Sequence, residues 1–344
     1  MRFAHLARCL IAVLAATLGA GALPALEIED RKLYPGISDD VIRVISTADL
    51  AVFEPFILRF QSEHPRISID YTVASSAQLH AAIRNGATFD VAISSAMDLQ
   101  FQLANDGGAQ AYRSSVTEAL PSWARWRDQL FAFTVEPAVT VISRARFEAL
   151  ERPKTRQELI ALLRQHPEVF DSAIGTYDVR VSGLGYLFAT QEARNSDTFW
   201  RLSELLGRRN AQLYCCSAEM IDAVAAGRLA LAYNVLGSYA EERIARDDRL
   251  EILELEDYAT AMLRTVLIPV TATDVDAAAL FVDRLLQEGL RRTTSDWVLP
   301  PLGAAAQPEA KAYGPIRLGP ALLVYLDKLN REAFLGAWSD ALVQ

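Results

Sequence analysis

The chain has 344 residues, a formal net charge of −9 and three cysteines. Acidic proteins are poor general binders of nucleic acid, because phosphate backbones attract lysine and arginine, so we expect no nucleic-acid partner. The length exceeds that of one ordinary hydrophobic core and predicts two lobes of about 150 residues each.

The N-terminus predicts a cleaved export signal over residues 1–25. Arg2 and Arg8 make the start basic, an apolar run covers 9–18, and small residues at 20–25 offer cleavage sites. The apolar run is shorter than the roughly 20 residues that a bilayer requires, which argues against a membrane anchor. Cys9 lies too early for lipid attachment. We therefore expect a periplasmic protein whose net charge becomes −11 when both arginines are removed.

Three strand-to-helix steps follow the signal. Apolar alternation and β-branched residues predict strands at 41–46, 67–73 and 90–93, and helical periodicity predicts helices at 53–60, 78–85 and 97–105. Such a succession indicates a parallel sheet with right-handed crossovers, and hence a first α/β lobe.

The run 131–143 is long and β-branched, but Pro137 prevents it from being a regular central strand throughout. We expect it to cross between lobes, and 262–270 to carry the chain back. Between them, the pattern predicts helices at 156–164, 197–206 and 218–226 and strands at 229–232 and 250–255. After residue 274, helices are predicted at 277–287, 321–329 and 331–342.

These elements predict an α/β fold of two lobes, each a mixed, mainly parallel sheet flanked by helices, joined by two crossing strands. The first lobe is discontinuous, comprising 26–133 and 269–344 with the C-terminal helices, and the second comprises 134–268. No hydrolase, P-loop, zinc-protease or C-x-x-C motif occurs, so we expect no enzymatic activity, no cofactor and no resident metal. The adjacent Cys215 and Cys216 are either two small buried side chains on a strand or an eight-membered disulfide ring.

Hydroxyl-rich strand ends are the candidate binding positions. Ser46 and Thr47, Ser94 and Ser95, and Ser182 and Gly183 each open a helix, where free N–H groups and the positive helix end favour an anion. Simple helix capping is the better explanation of any one of them taken alone. Three such sites at the carboxyl ends of strands favour a ligand cleft.

Arg180 is the predicted counter-ion of the bound anion. It lies beside a glycine-rich turn, and its planar guanidinium matches carboxylate or phosphate, although a salt bridge to Asp178 is the alternative. Further polar contacts are predicted for residues after other strands, namely Asp49, Asn234, Ser238 and Tyr239.

Several segments resemble the periplasmic solute-binding components of ABC transporters, in the group that contains ferric-ion-binding proteins. They are 49–71, 81–109 with its ISSAMDLQ motif, 177–191 and 230–240. The resemblance covers nearly all of the chain after the signal. It implies the type II periplasmic fold, in which two α/β lobes joined by two crossing strands hold a ligand in their cleft.

The resemblance also implies a function. We expect a monomer that captures a small ligand and delivers it to the permease of an ABC importer. The hydroxyl-rich strand ends and Arg180 favour an organic anion or phosphate ester as that ligand. Ferric transport is an alternative, but the adjacent tyrosines that hold iron in that group would fall near Gly237 and Ser238 here. A second alternative is a ligand sensor, because the group includes a phosphoglycerate transport regulatory protein that signals to a membrane sensor kinase.

Overall fold

Eleven strands form one mixed sheet in the computed structural model, which describes residues 26–38, 40–291, 299–302 and 315–343. The strands are β1 (Asp30–Tyr34), β2 (Val41–Ser46), β3 (Ser68–Val73), β4 (Val91–Ser94), β5 (Arg125–Trp126), β6 (Leu130–Ser143), β7 (Ile174–Tyr177), β8 (Gln212–Tyr214), β9 (Leu231–Leu236), β10 (Leu250–Leu253) and β11 (Ala261–Leu267). The predicted export signal lies outside the described residues.

The strand order divides the sheet into two halves. It runs β1-β3-β2-β4-β11-β6-β9-β7-β8, with β5 and β10 also paired to β6. In the first half, β2 is parallel to β3 and β4, whereas β1 and β11 are antiparallel to their neighbours. In the second half, β7 is parallel to β8 and β9, whereas β6 is antiparallel to β9. Each half is therefore mixed, as the sequence predicts.

The long strand β6 belongs to both halves. Its residues up to Pro137 pair with β11, and those from Ala138 onward pair with β9 and β10. Pro137 stands where β11 begins, opposite Ala261, and the pairing with β9 shifts register between Val139 and Val141. The predicted crossing at 131–143 is thus one continuous strand that changes partners near its proline.

Helices cover both faces of the sheet. They are α1 (Leu50–Glu63), α2 (Ser76–Arg84), α3 (Met97–Asn105), α4 (Ser115–Ala119), α5 (Arg156–Gln165), α6 (Pro167–Phe170), α7 (Gly183–Asn195), α8 (Thr198–Arg208), α9 (Ser217–Ala225), α10 (Gly237–Ile244), α11 (Val275–Gly289) and α12 (Lys328–Leu342). None of the helices in the described part of the chain combines the length and apolarity that a bilayer crossing requires.

Most predicted helices are present within two or three residues of their expected bounds, but the helix predicted at 321–329 is wrong. A single 3₁₀ turn covers Pro320–Leu323, and α12 begins only at Lys328. Asp327 caps α12 by accepting hydrogen bonds from the N–H groups of Leu329 and Asn330, so the chain breaks before the helix starts.

The last helix packs on the second half of the sheet, whereas the sequence placed the C-terminal helices with the first lobe. Phe334 and Trp338 of α12 share one apolar cluster with Phe199 and Leu202 of α8. The Phe334 ring stacks on Phe199 at 6.2 Å between centroids. The apolar face of α12 fits a groove beside α8 that no periodicity in the sequence reveals.

The contact between α8 and α12 depends on a glycine. A Cβ atom on Gly207 would lie 2.1 Å from the carbonyl oxygen of Ala341, a distance that no side chain tolerates. A methyl group here would force the two helices apart.

We therefore expect Gly207→Ala to lower the free energy of unfolding by about 1–3 kcal/mol, as over-packing usually does. Gly336→Ala is the matched control, because Gly336 lies inside α12 and a Cβ atom added to it would meet nothing within 4 Å. It should raise stability by up to ~1 kcal/mol through helix propensity. Urea denaturation measures both changes, and equal stability of the two variants would contradict the close approach.

Candidate functional site

A cavity lies between the two halves of the sheet, where strands end and helices begin. The first half contributes Glu29, Thr47, Asp49, Ala74, Ser75, Ser76 and Ser95, and the second contributes Tyr177, Val181, Ser182, Leu184, Cys215, Cys216, Ser217, Ala218, Leu236 and Tyr239. We call it the interlobe cavity. Crossovers between parallel strands return the chain to the same edge of the sheet, which is why these segments meet.

Several helix N-termini open onto the interlobe cavity. Asp49 precedes α1, Ser75 caps α2, and Ser182 caps α7 by accepting a hydrogen bond from the Gly185 N–H. Helix α9 begins at Ser217, and α10 begins two residues before Tyr239. The side chains of Ser217 and Tyr239 also line the cavity. Each helix start carries partial positive charge and N–H groups without partners inside the helix, so the arrangement favours an anion.

Two hydroxyl groups on neighbouring strand ends are hydrogen-bonded together. Thr47 Oγ1 lies 3.2 Å from Ser95 Oγ and accepts a hydrogen bond of 3.0 Å from the Ser95 N–H. Ser95 is almost fully buried, and Thr47 is half-buried. The two side chains are thus fixed at the cavity wall, with oxygen atoms available to a ligand.

Direct hydrogen bonds cross the cavity from one half to the other. The Asp49 N–H donates to the Tyr239 hydroxyl over 3.3 Å, and the Gly183 N–H donates to Ser76 Oγ over 3.1 Å. Gly183 has no room for a side chain, since a Cβ would lie 2.5 Å from Ser76 Oγ. The structure therefore holds the two halves in contact around the cavity.

Two carboxylates face the cavity. Desolvation raises the pKa of Asp49 above its ordinary value, although Tyr239 and Arg264 act in the opposite direction. Desolvation, and then the charge of Asp49, raise the pKa of Glu29 at the cavity rim. No lysine or arginine side chain lines this cavity in the described part of the chain. The positive groups that line it directly are therefore the backbone N–H groups at the helix starts.

Cys215 and Cys216 are joined by a disulfide bond and line the cavity. Cys215 is exposed and Cys216 is half-buried at the start of α9, so they are not two small buried side chains on a strand. Of the two readings that the sequence left open, the ring is the one present. It adds an apolar surface beside Leu236 and Ala218.

A buried ion pair lies behind the cavity. Arg264 on β11 and Glu136 on β6 are both fully buried, with Arg264 Nε donating to Glu136 Oε1 over 2.8 Å. Burial lowers the pKa of Arg264, but Glu136 more than offsets this and raises it. The charge of Arg264 also acts on Asp49 and Tyr239. The pair was not predicted, because its only signal in the sequence is a charge inside each of two apolar strands.

Several predicted site residues lie behind the cavity wall. Ser46 Oγ and Ser94 Oγ accept hydrogen bonds from the N–H groups of Ala48 and Ala96, so both stabilise their own turns and neither lines the cavity. Ser238 donates its hydroxyl hydrogen to Glu136.

Asn234 lies in the left-handed region, with φ of 63°, and donates to the buried Glu192. Glu192 is also paired with Arg156 inside the second half, and Tyr233 donates to the same carboxylate. The Asn234 side chain therefore belongs to a buried structural cluster and does not face the interlobe cavity.

Arg180 does not line the interlobe cavity. The sequence left open a salt bridge between Arg180 and Asp178, and that salt bridge is the one observed. Its guanidinium forms a two-point ion pair with Asp178, at 2.8 Å and 2.7 Å, and lies over the Trp338 ring. Only one residue separates the pair, so the contact forms locally and directs Arg180 toward α12.

The positions at which ferric-binding relatives would carry adjacent tyrosines begin α10 here. Gly237 packs against Pro137, and the Ser238 hydroxyl donates a hydrogen bond to Glu136. Tyr233 and Tyr239 point to different partners, Glu192 and Asp49. Within the described residues, no group of three histidine, cysteine or acidic side chains is positioned to hold a metal ion.

The buried ion pair makes a prediction about stability. Arg264→Met leaves the Glu136 carboxylate buried without its counter-ion, which typically costs about 3–5 kcal/mol of unfolding free energy. Replacing both residues, as Arg264→Met with Glu136→Leu, removes both charges and should recover most of that loss. Urea denaturation tests this, and a double variant as unstable as the single one would show that the charges do not act as a pair.

The chain is similar to transport proteins that bind solutes. The profile of the family described as bacterial extracellular solute-binding protein matches residues 45–288. A substrate-binding protein of an ABC transporter from Agrobacterium tumefaciens is 29% identical, with a TM-score of 0.85, and the match covers 91% of this chain and 98% of that one. Comparison with curated proteins finds no match.

More distant solved structures share the fold. AfuA from Actinobacillus pleuropneumoniae, with exogenous fructose-6-phosphate bound, has a TM-score of 0.71 at 18% identity, over 89% of this chain and 99% of that one. Apo ferric ion-binding protein A from Pasteurella haemolytica has a TM-score of 0.63 at 16% identity, over 88% and 98%. The predicted type II periplasmic fold is confirmed.

Proposed function

The chain belongs to the family of bacterial extracellular solute-binding proteins, and from this premise we propose that it captures a small hydroxylated organic anion, such as a phosphate ester. It is the solute-binding component of an ABC transporter, and we propose that it acts in the periplasm after cleavage of residues 1–25. The observation that carries the choice of ligand is the meeting of helix N-termini and two carboxylates in one cavity.

The helix N-termini account for the anionic part of the ligand. A phosphate or carboxylate group at the starts of α7 and α9 would accept hydrogen bonds from backbone N–H groups and from the Ser182 and Ser217 hydroxyls. Such a site binds an anion without arginine or lysine side chains. This agrees with the interlobe cavity, which no cationic side chain lines in the described part of the chain.

The carboxylates account for the hydroxylated part. Asp49 and Glu29 accept hydrogen bonds when ionised, and ligand hydroxyl groups would supply donors beyond the hydrogen bond that Tyr239 offers the Asp49 carboxylate. Thr47, Ser95 and Tyr239 add oxygen atoms that both donate and accept. Bonds from the ligand to Asp49 and Tyr239 would join the two halves, since these residues lie on opposite sides.

The apolar patch accounts for the carbon skeleton. The Cys215–Cys216 ring and Leu236 line one side of the cavity, where a sugar or alkyl face would exclude water. AfuA, whose fold this chain shares, has fructose-6-phosphate bound. That ligand has the three features proposed here: an anion, several hydroxyl groups and a carbon face.

The acidic pair also favours a second candidate, an amine ligand. An ammonium group between Glu29 and Asp49 would lower the pKa of both carboxyls and relieve their mutual repulsion. The helix N-termini oppose a cation at the same place, so we rank the hydroxylated anion first.

A ligand panel with one matched pair of variants tests the proposal. Calorimetry of the mature chain with sugar phosphates, phosphoglycerates, di- and tricarboxylates, diamines and ferric citrate should give binding of a hydroxylated anion. Asp49→Asn should weaken that binding tenfold or more, because a charged hydrogen bond contributes about 1.5–3 kcal/mol. Asp49 makes no side-chain capping bond to α1, so its loss should leave the helix intact.

Asp340→Asn is the control, since Asp340 is exposed on α12 and does not line the cavity. It should bind as the wild type does. Binding of diamines alone would favour the amine candidate, and binding of ferric citrate alone would contradict both.

A further inference from the structure

A second cavity lies between the two halves, next to the interlobe cavity. Its lining includes His80, Arg84, Asp98, Arg180, Tyr186 and Arg331. We call it the arginine cavity. Val181 and Ser182 line both spaces, so the turn before α7 separates them. The arginine cavity has a volume of about 330 Å³, against about 90 Å³ for the interlobe cavity.

The arginine cavity brings guanidinium groups together from opposite halves. Arg84 ends α2 in the first half, and Arg331 lies on α12, which packs on the second half. Asp178 neutralises Arg180, but in the described part of the chain no carboxylate forms an ion pair with Arg84 or Arg331. The Arg331 guanidinium lies 4.8 Å from the centre of the Tyr186 ring. Like charges from both halves thus line one space, and no carboxylate in the described part of the chain is paired with Arg84 or Arg331.

Two buried polar atoms at the wall of this cavity lack partners. Asp98 is 3% exposed, and its Oδ1 atom has no hydrogen bond within the described residues. His80 Nε2 is buried and equally unpaired. Such atoms cost free energy unless a ligand or water satisfies them. They give the cavity a buried polar wall, opposite which Arg84 and Arg180 are exposed.

We propose that the arginine cavity binds a small oxyanion, of the sulfate, phosphate or carboxylate class, that bridges the two halves. The anion joins Arg84 to Arg331 and converts their repulsion into attraction, so it favours contact between the halves. It accepts a hydrogen from Asp98 when that carboxyl is protonated. This site is separate from the proposed ligand site, and it stands whether or not that ligand assignment is correct.

The charge state of Asp98 supports this assignment and makes the site sensitive to pH. Burial raises the pKa of Asp98 to about 7, and burial followed by the charge of Arg84 lowers the pKa of His80 to about 4. Above about pH 5, His80 is therefore neutral. As the pH rises through about 7, Asp98 loses its proton and changes from a donor into a negative charge that repels the anion.

The other groups that face the cavity keep their charge over this range. Arg84, Arg180 and Arg331 stay cationic. Arg180 lowers the pKa of Asp178, and desolvation raises the pKa of Tyr186. Neither side chain therefore changes its charge between about pH 5.5 and 8.5.

Sulfate is the test probe, because its charge is constant from about pH 5.5 to 8.5. Calorimetry in dilute bis-tris propane chloride, which buffers on both sides of pH 7, should show one sulfate bound per wild-type chain. Arg84→Gln with Arg331→Gln should weaken binding at least tenfold. Arg164→Gln, which removes an exposed arginine from the end of α5, should leave it unchanged. Wild-type affinity should fall as the pH rises through about 7, and Asp98→Asn should remove this dependence.

A variant of the interlobe cavity, Thr47→Val with Ser95→Ala, separates the two sites. Sulfate binding that survives in this variant and is lost in the double arginine variant supports the arginine cavity. Loss of binding in the Thr47 and Ser95 variant alone would place the anion in the interlobe cavity and overturn the inference. So would the absence of sulfate binding in the wild type, or equal binding in the wild type and the double arginine variant.

Discussion

The buried ion pair between Arg264 and Glu136 lies at the centre of the sheet, behind the interlobe cavity. It links β11 to the part of β6 that precedes Pro137, just before β6 enters the second half. The same Glu136 carboxylate accepts a hydrogen from Ser238 at the start of α10. Through that bond the pair fixes the helix that carries Tyr239. A buried pair of this kind specifies geometry more than it stabilises, because desolvation offsets most of its attraction.

The two halves also meet at three places outside this ion pair. Tyr239 and Asp49 join them at the cavity, the Gly183 N–H and Ser76 join them at the turn before α7, and the arginine cavity lies beyond that turn. Each contact uses few atoms, and each couples closure to what the cavities contain. We therefore propose that binding in either cavity shifts a balance between separated and joined halves without a change in the fold of either half.

Much of the architecture follows from the sequence, because the period of the apolar residues indicates strands and helices, and the cavity forms where they meet. Thr47, Ser95 and Ser182 were predictable as hydroxyl groups at strand ends. Contacts between residues far apart in the sequence were not predictable. Arg264 resembles any charged residue in a strand until β11 is placed beside β6, and the fit of Phe334 against α8 depends on the surface of another element. Arg180 lies away from its predicted position because Asp178, two residues away, pairs with it locally.

Closure of the two halves around a ligand in the interlobe cavity underlies the proposed transport role. Small-angle X-ray scattering tests this closure most directly, by comparing the radius of gyration of the ligand-free mature chain with that of the chain saturated with its tightest-binding ligand. We expect a smaller radius on saturation, with scattering that matches the joined arrangement described above. Saturation that is complete by calorimetry, yet leaves the radius of gyration unchanged, would contradict closure.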